Sequence, residues 1–156
     1  YENPYTFSKD IGEQLCEMYY RVYGVETRIC RFYNVYGDSQ LIEGEYAAVV
    51  GIFLEQYKHN KPLTITGDGE QRRDFTHVDD IVDGMFLSMS KEFGTYELGS
   101  GVNYSINELA NMFGEDYPKE YIEERVGEAR ETLCKKPDLL LVKNNLEDYI
   151  KGEISE

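Results

Sequence analysis

Gly67-Asp68-Gly69-Glu70-Gln71-Arg72-Arg73-Asp74-Phe75-Thr76-His77-Val78-Asp79-Asp80 changes character twice along its length. Its glycines and charged side chains suit a turn that comes close to a ligand. Phe75 to Val78 then reads as extended. Asp79 or Asp80 is placed to cap a helix whose Ile81, Val82, Met85, Phe86 and Met89 form one apolar stripe. Just upstream, Leu63 to Thr66 is a short strand. A strand, a polar turn, an extended segment and a helix in succession belong to an α/β architecture.

The same alternation continues in both directions. Upstream, Ile11, Leu15, Met18 and Val22 have the spacing of one buried helix face over Ser8 to Tyr23, and Gly24 supplies the stop. Thr27 to Val35 is rich in β-branched and aromatic residues and reads as one strand entering a Tyr36-Gly37-Asp38 turn; a helix follows over Tyr46 to His59. Downstream, Tyr96 to Leu98 is a strand and Gly99-Ser100-Gly101 a turn. Ser105-Ile106-Asn107-Glu108 has the spacing of a capping box. Tyr121 to Val126 is a further strand, Asp138 to Val142 an apolar run, and Asn145 to Lys151 a short helix.

Composition bounds the function. The chain has 156 residues, 41% of them hydrophobic, with 14 Tyr and 7 Phe, enough apolar surface for one folded domain. A net charge of -14 argues against nucleic acid and anionic membranes as partners, so an anionic ligand needs a local arginine cluster. Cys16, Cys30 and Cys134 are widely spaced and lie among periodic apolar residues, which reads as reduced structural thiols in a cytoplasmic protein. No run approaches the ~18 apolar residues of a membrane span. The start, Tyr1-Glu2-Asn3-Pro4, has neither an initiator methionine nor a signal-peptide pattern, and reads as the beginning of a fragment.

Tyr5-Thr6-Phe7-Ser8-Lys9 is a Y-x-x-x-K at the start of a helix, with phenol and ammonium on one face. A free tyrosine titrates near ~10, so it is a poor base at neutral pH unless a cation favours its phenolate, a role open to Lys9. His77 reads as packed or hydrogen-bonded and His59 as exposed. Asp79 and Asp80 read as helix-capping groups rather than a metal site, and no metal is expected.

Taken together, these motifs carry a resemblance. Asn3-Pro4-Tyr5-Thr6-Phe7-Ser8-Lys9, Arg31-Phe32-Tyr33-Asn34-Val35-Tyr36-Gly37 and the Gly67 to Asp80 stretch stand in the order and spacing seen in extended short-chain dehydrogenases/reductases. Leu98-Gly99-Ser100-Gly101 with its capping box, and Arg125-Val126-Gly127-Glu128-Ala129-Arg130, extend the match over nearly the whole chain. The sequence resembles the C-terminal portion of an NAD-dependent epimerase/dehydratase, UDP-glucose 4-epimerase-like.

The resemblance implies an α/β fold, namely the small substrate-binding domain with the last strands and helices of a Rossmann-like sheet. It casts Tyr5 as acid/base, and Lys9 as its partner and a contact of the nicotinamide ribose. Phe32 and Tyr33 would line the cofactor side, Asn34 would face the substrate, and Arg73 and Arg125 would grip its diphosphate, as a guanidinium fork is suited to do. The implied activity of the intact, cytoplasmic and homodimeric enzyme is epimerisation of a nucleotide sugar through transient oxidation by NAD. Alternatives are a dehydratase or reductase of the same family, or a non-catalytic sugar-nucleotide-binding fragment.

Departures from the family pattern are specific. Gly37-Asp38-Ser39-Gln40 stands where the family often reads G-P-R-Q, so one commonly basic position is lost, and Arg125 precedes Val126 rather than proline. The sequence contains neither the glycine-rich phosphate loop of a dinucleotide site nor the upstream Ser/Thr of the catalytic group. NAD is therefore not expected to bind these residues alone.

Overall fold

Proline is favoured at the first position of a helix, where its missing N–H costs nothing. In the computed structural model, which describes residues 4–42, 44, 47–124 and 127–155, Pro4 opens α1 (Pro4–Tyr23), a turn earlier than the expected Ser8. Tyr5 and Lys9 are thereby both helical. Gly24, at φ 67°, ends the helix in the left-handed region and returns its N–H to the Tyr20 carbonyl at 2.9 Å. The expected buried face of α1 is open instead. None of its residues is buried, and Ile11, Leu15 and Val22 are 46%, 51% and 56% exposed.

The expected single strand from Thr27 to Val35 is two. β1 (Arg28–Phe32) and β2 (Asn34–Tyr36) are separated at Tyr33 because they serve different sheets. β1 pairs in parallel with β5 (Gly94–Leu98), and β2 pairs in parallel with β4 (Arg72–His77). On its other side β4 pairs antiparallel with β6 (Asn103–Ser105). β3 (Leu63–Thr66) has the expected bounds and pairs with β7 (Lys119–Ile122), which starts before the expected Tyr121 and ends at Ile122. Glu123 and Glu124, also expected in that strand, are not part of it, and Arg125 and Val126 lie outside the described residues.

The helices α2 (Val49–Lys58), α3 (Val78–Ser88), α4 (Ile106–Asn111) and α5 (Leu146–Ser155) complete the fold. The expected start of α2, Tyr46, is outside the described residues. The cap of α3 is neither Asp79 nor Asp80 but His77, whose ring accepts from the Asp79 N–H at 3.2 Å. The two aspartates occupy the first turn, where their charge still suits the helix dipole. The capping box of α4 forms as expected, with Ser105 Oγ accepting from Glu108 N–H at 3.0 Å and Glu108 accepting from Ser105 N–H at 2.7 Å. α5 begins after Asn145, whose Oδ1 accepts from the N–H groups of Glu147 and Asp148. No helix among the described residues is long and apolar enough to cross a membrane.

The core lies on one side of the molecule. Phe53, Leu63, Ile65, Phe75, Leu109 and Ile150 pack together from α2, β3, β4, α4 and α5, and this cluster takes nothing from α1, β1 or β5. A two-stranded parallel sheet is not an independent unit, since parallel strands are stable when both faces are covered. The α1, β1 and β5 layer thus hangs on the rest of the fold through a small number of ties.

α3 packs on β1 and β5, with Leu98 of β5 fully buried against Gly84, and a polar tie is made by Asp74, fully buried on β4. Its carboxylate accepts from Ser100 N–H at 2.9 Å, Ser100 Oγ at 2.6 Å, Gly101 N–H at 3.0 Å and Cys134 N–H at 3.0 Å. Gly99 permits that convergence. A Cβ there would lie 2.3 Å from Cys134 and 2.7 Å from the Tyr33 ring. Asp80 plays the same part further along, accepting from Lys143 N–H, Asn144 N–H and the Asn144 amide.

Removing one oxygen from such a set leaves buried donors unanswered. Asp74→Asn should therefore cost about 3 kcal/mol or more in urea unfolding, the range for breaking a buried charged network. A loss below about 1 kcal/mol would show that the donors find other partners.

Candidate functional site

The expected site residues divide into two cavities on either side of one segment. Phe32, Tyr33 and Asn34 are consecutive, and the break between β1 and β2 falls among them. Phe32 and Tyr33 line an open cavity of about 730 Å³ with Tyr5, Lys9, Cys16 and Cys30. Asn34 lines a smaller cavity of about 170 Å³ with Thr64, Thr66, Gln71, Arg73 and Glu128. Residues assigned to the cofactor side thus stand apart from those assigned to the substrate. Arg125 lies outside the described residues.

In the larger cavity Tyr5 is 65% exposed, and Lys9 Nζ stands 5.3 Å from the centre of its ring. Helical spacing alone accounts for that pairing. Glu13, one turn beyond Lys9, receives Arg31 Nε at 2.8 Å and the Arg31 terminal amine at 2.5 Å. Hydrogen bonding from Arg31 holds the Glu13 carboxyl below its usual range. The Tyr33 phenol is pushed up to about 12, first by burial and then by the Glu97 carboxylate that accepts its hydrogen bond at 3.3 Å. Tyr33 is therefore a neutral donor at physiological pH and not a base. Tyr33 and the exposed Phe32 form an aromatic wall of the cavity that Tyr5 and Lys9 also line.

The smaller cavity has a mixed lining, with Ala48, Val49, Ile52, Ile106 and Ile122 beside the polar groups, and carries a buried cation. Arg73 is 6% exposed, donates to the Arg72 carbonyl at 2.8 Å and pairs with Glu128 at 3.3 Å. Glu128 is its counter-charge, and such a guanidinium fork has the geometry that binds a carboxylate or a phosphate. The glycine turn beneath it is rigid. Gln71 donates to Thr66 O and Thr66 Oγ1, Asn107 donates to Asp68 O, and a Cβ on Gly69 would strike Asn107 at 2.2 Å.

The segment 127–134 crosses over this cavity as a strap. Arg72 donates to Arg130 O at 2.9 Å and Thr132 donates back to Arg72 O at 3.0 Å, a parallel extension of the β4 edge. Arg130 grips Asp68 with two bonds of 2.8 Å, and this fork is the main cause holding the Asp68 carboxyl down to about 2. Thr132 Oγ1 donates to Asn34 Oδ1 at 3.4 Å. Glu128, as the partner of Arg73, and Asp74, as the anchor of the strap, did not emerge from sequence reading. Both act across long separations that leave no periodic trace. His77 is buried, as expected, and His59 is exposed. Among the described residues, no group of three or more His, Cys, Asp or Glu could hold a metal ion.

The cofactor side can be tested against these residues. The exposed Tyr5 and Lys9, in one cavity with an aromatic wall, suit the nicotinamide end of NAD, and the cavity has room for a flat ring. The residues that would hold it there are Lys9, Phe32 and Tyr33.

Comparison with known proteins places the chain among related sequences and structures. The model of the NAD dependent epimerase/dehydratase family matches residues 1–99. A putative UDP-glucose 4-epimerase of Methanocaldococcus jannaschii is 37% identical over 110 residues, which cover 70% of this chain and 36% of that protein. UDP-glucuronic acid decarboxylase 1 of Arabidopsis thaliana is 33% identical over 144 residues, covering 91% of this chain and 33% of the relative. Among solved structures, UDP-glucose 4-epimerase from Thermotoga maritima with UDP-glucose superposes with a TM-score of 0.88 at 30% identity, covering 97% of this chain and 52% of that one. The UDP-glucose 4-epimerase of Thermus thermophilus in complex with NAD gives a TM-score of 0.87 at 26% identity, covering 99% and 53%. The chain thus spans a third to a half of the length of these relatives. With the family model, the relatives and the fold in accord, the chain belongs to the NAD-dependent epimerase/dehydratase family.

Proposed function

We propose that these residues form the substrate-binding and acid/base part of a nucleotide-sugar epimerase, with a UDP-sugar as substrate and NAD as cofactor. The observation that carries the reading is the segregation across Phe32-Tyr33-Asn34, with Tyr5 and Lys9 on one side and buried Arg73 on the other. A nucleotide sugar laid across that segment has its diphosphate at Arg73, joined by Arg125, and its sugar directed toward Tyr5. When bound, NAD supplies the hydride acceptor for the sugar carbon.

The chain's own residues do the rest. Tyr5 takes the proton of the reacting hydroxyl, and Lys9, on the same helical face, favours the oxygen that has lost it. Asn34 holds the substrate side of the segment while Tyr33, kept neutral, stays out of proton transfer. Glu128 occupies Arg73 until a diphosphate replaces it. The open apolar stripe of α1 supports assembly into a homodimer or against a dinucleotide-binding portion.

Two measurements test this. In the holoenzyme containing this chain, Tyr5→Phe keeps the ring and loses the acid/base oxygen, so turnover should fall on the order of a hundredfold with little change in substrate affinity. Near-normal turnover would remove Tyr5 from the chemistry. Arg73→Ala should weaken UDP-sugar binding by about tenfold or more in calorimetry, as expected for a charge-assisted bond, while Lys58→Ala should not. Equal affinity for wild type and Arg73→Ala would remove that arginine from the site. Product analysis with UDP-glucose and UDP-glucuronate separates the epimerase from a decarboxylase, which would release carbon dioxide from the latter.

A further inference from the structure

Tyr5, Lys9 and Glu13 follow one another at intervals of four, so they share a face of α1. By helical rise Glu13 sits about 6 Å beyond Lys9 and about 12 Å beyond Tyr5. That face looks into the larger cavity, which Glu13, Arg31 and Glu97 line together with Tyr5 and Lys9. α1 contributes no buried residue, so burial of apolar side chains does not set its height or rotation against the sheet. Its C-terminal end is stacked, with Tyr20 lying flat on Phe93 at 4.0 Å. Nearer the Tyr5 end, Arg31 of β1 grips Glu13 with a two-pronged fork at 2.8 and 2.5 Å.

Arg31 does more than pair with the helix. Its other terminal nitrogen lies 3.8 Å from Glu97 of β5, and Glu97 in turn accepts from the Tyr33 hydroxyl. The carboxylate on α1 and the carboxylate that holds the aromatic wall are thus joined through one guanidinium. Lysine, a point charge, cannot bind one carboxylate by two parallel bonds while facing a second. An isolated surface pair contributes little, but a bidentate pair within a network is the exception.

We infer that Arg31, through Glu13 and Glu97, is a positioning residue that fixes the Tyr5 and Lys9 face of α1 against the Phe32 and Tyr33 wall. This rests on the reading of Tyr5 as the acid/base group. A loosened fork lets α1 ride away from the sheet and moves the Tyr5 oxygen relative to the substrate, while Arg73 and its cavity are untouched. The loss therefore falls on turnover and not on substrate binding.

The experiment has a structural and a kinetic arm. In the chain itself, Glu13→Gln and Arg31→Lys should speed amide exchange across the first two turns of α1 by about tenfold, while α4 and β4 amides remain as in wild type and report an intact core. In the holoenzyme, both variants should lower kcat by on the order of tenfold or more with KM for the UDP-sugar within about twofold, and the double variant should be no worse than Arg31→Lys alone. Unchanged exchange in α1 would refute the clamp. Faster exchange with unchanged kcat would reduce it to a structural tie, and a rise in KM matching the fall in kcat/KM would place Arg31 in binding. Tyr5→Phe, run beside them, separates the two ideas: if it stays active the acid/base reading fails and takes this inference with it, whereas an inactive Tyr5→Phe beside a fully active Glu13→Gln overturns the positioning role alone.

Discussion

The buried carboxylate of Asp74 ties together the two parts of this molecule that carry the cavities. Asp74 sits on the strand that carries Arg73, and its oxygens collect donors from the turn after β5 and from the strap at Cys134. The turn brings with it the sheet that supports Tyr33. The strap brings Glu128 over Arg73 and Thr132 to Asn34. Both cavities therefore depend on where the Asp74 carboxylate is, although it lines neither of them. Its cost of burial is met by hydrogen bonds from every side, which is the condition under which a buried charge is tolerated.

On the proposed reading, that arrangement lets a protein that is acidic overall receive an anion. Long-range repulsion falls off over about a Debye length, whereas the buried Arg73 acts at contact in a cavity of mixed polar and apolar lining. In the ligand-free state Glu128 is the local counter-charge. Under the proposed function an incoming diphosphate takes the place of Glu128, so that recognition becomes an exchange of one partner for another.

How much of this was legible depended on distance along the chain. The capping box at Ser105 and Glu108 was readable because both bonds close within three residues, and β3 because its run is short and bounded by turn residues. Tyr5 and Lys9 met as expected because helical periodicity is local. The burial of Ile11, Leu15 and Val22 was misjudged because an apolar stripe reports that a face suits a partner, not that these residues supply one. The strand from Thr27 to Val35 read as continuous because its composition does not change at Tyr33. What changes there is the pairing partner, more than forty positions away. The helix cap at His77 was missed for a related reason, since two aspartates at the helix start offered a simpler local solution. Glu128 facing Arg73 and Arg31 bridging Glu13 to Glu97 are tertiary facts with no local signature.

The central claim is that the diphosphate of a nucleotide is received at Arg73 and Asn34, separately from the Tyr5 and Lys9 face. Titration of UDP into the isotopically labelled chain, followed by NMR of arginine Nε–H and asparagine side-chain amide signals, tests it most directly. The account predicts saturable shifts at Arg73, Asn34 and the backbone around Glu128, with the α1 amides near Lys9 and Glu13 unmoved. Shifts confined to α1, or none at Arg73, would contradict it.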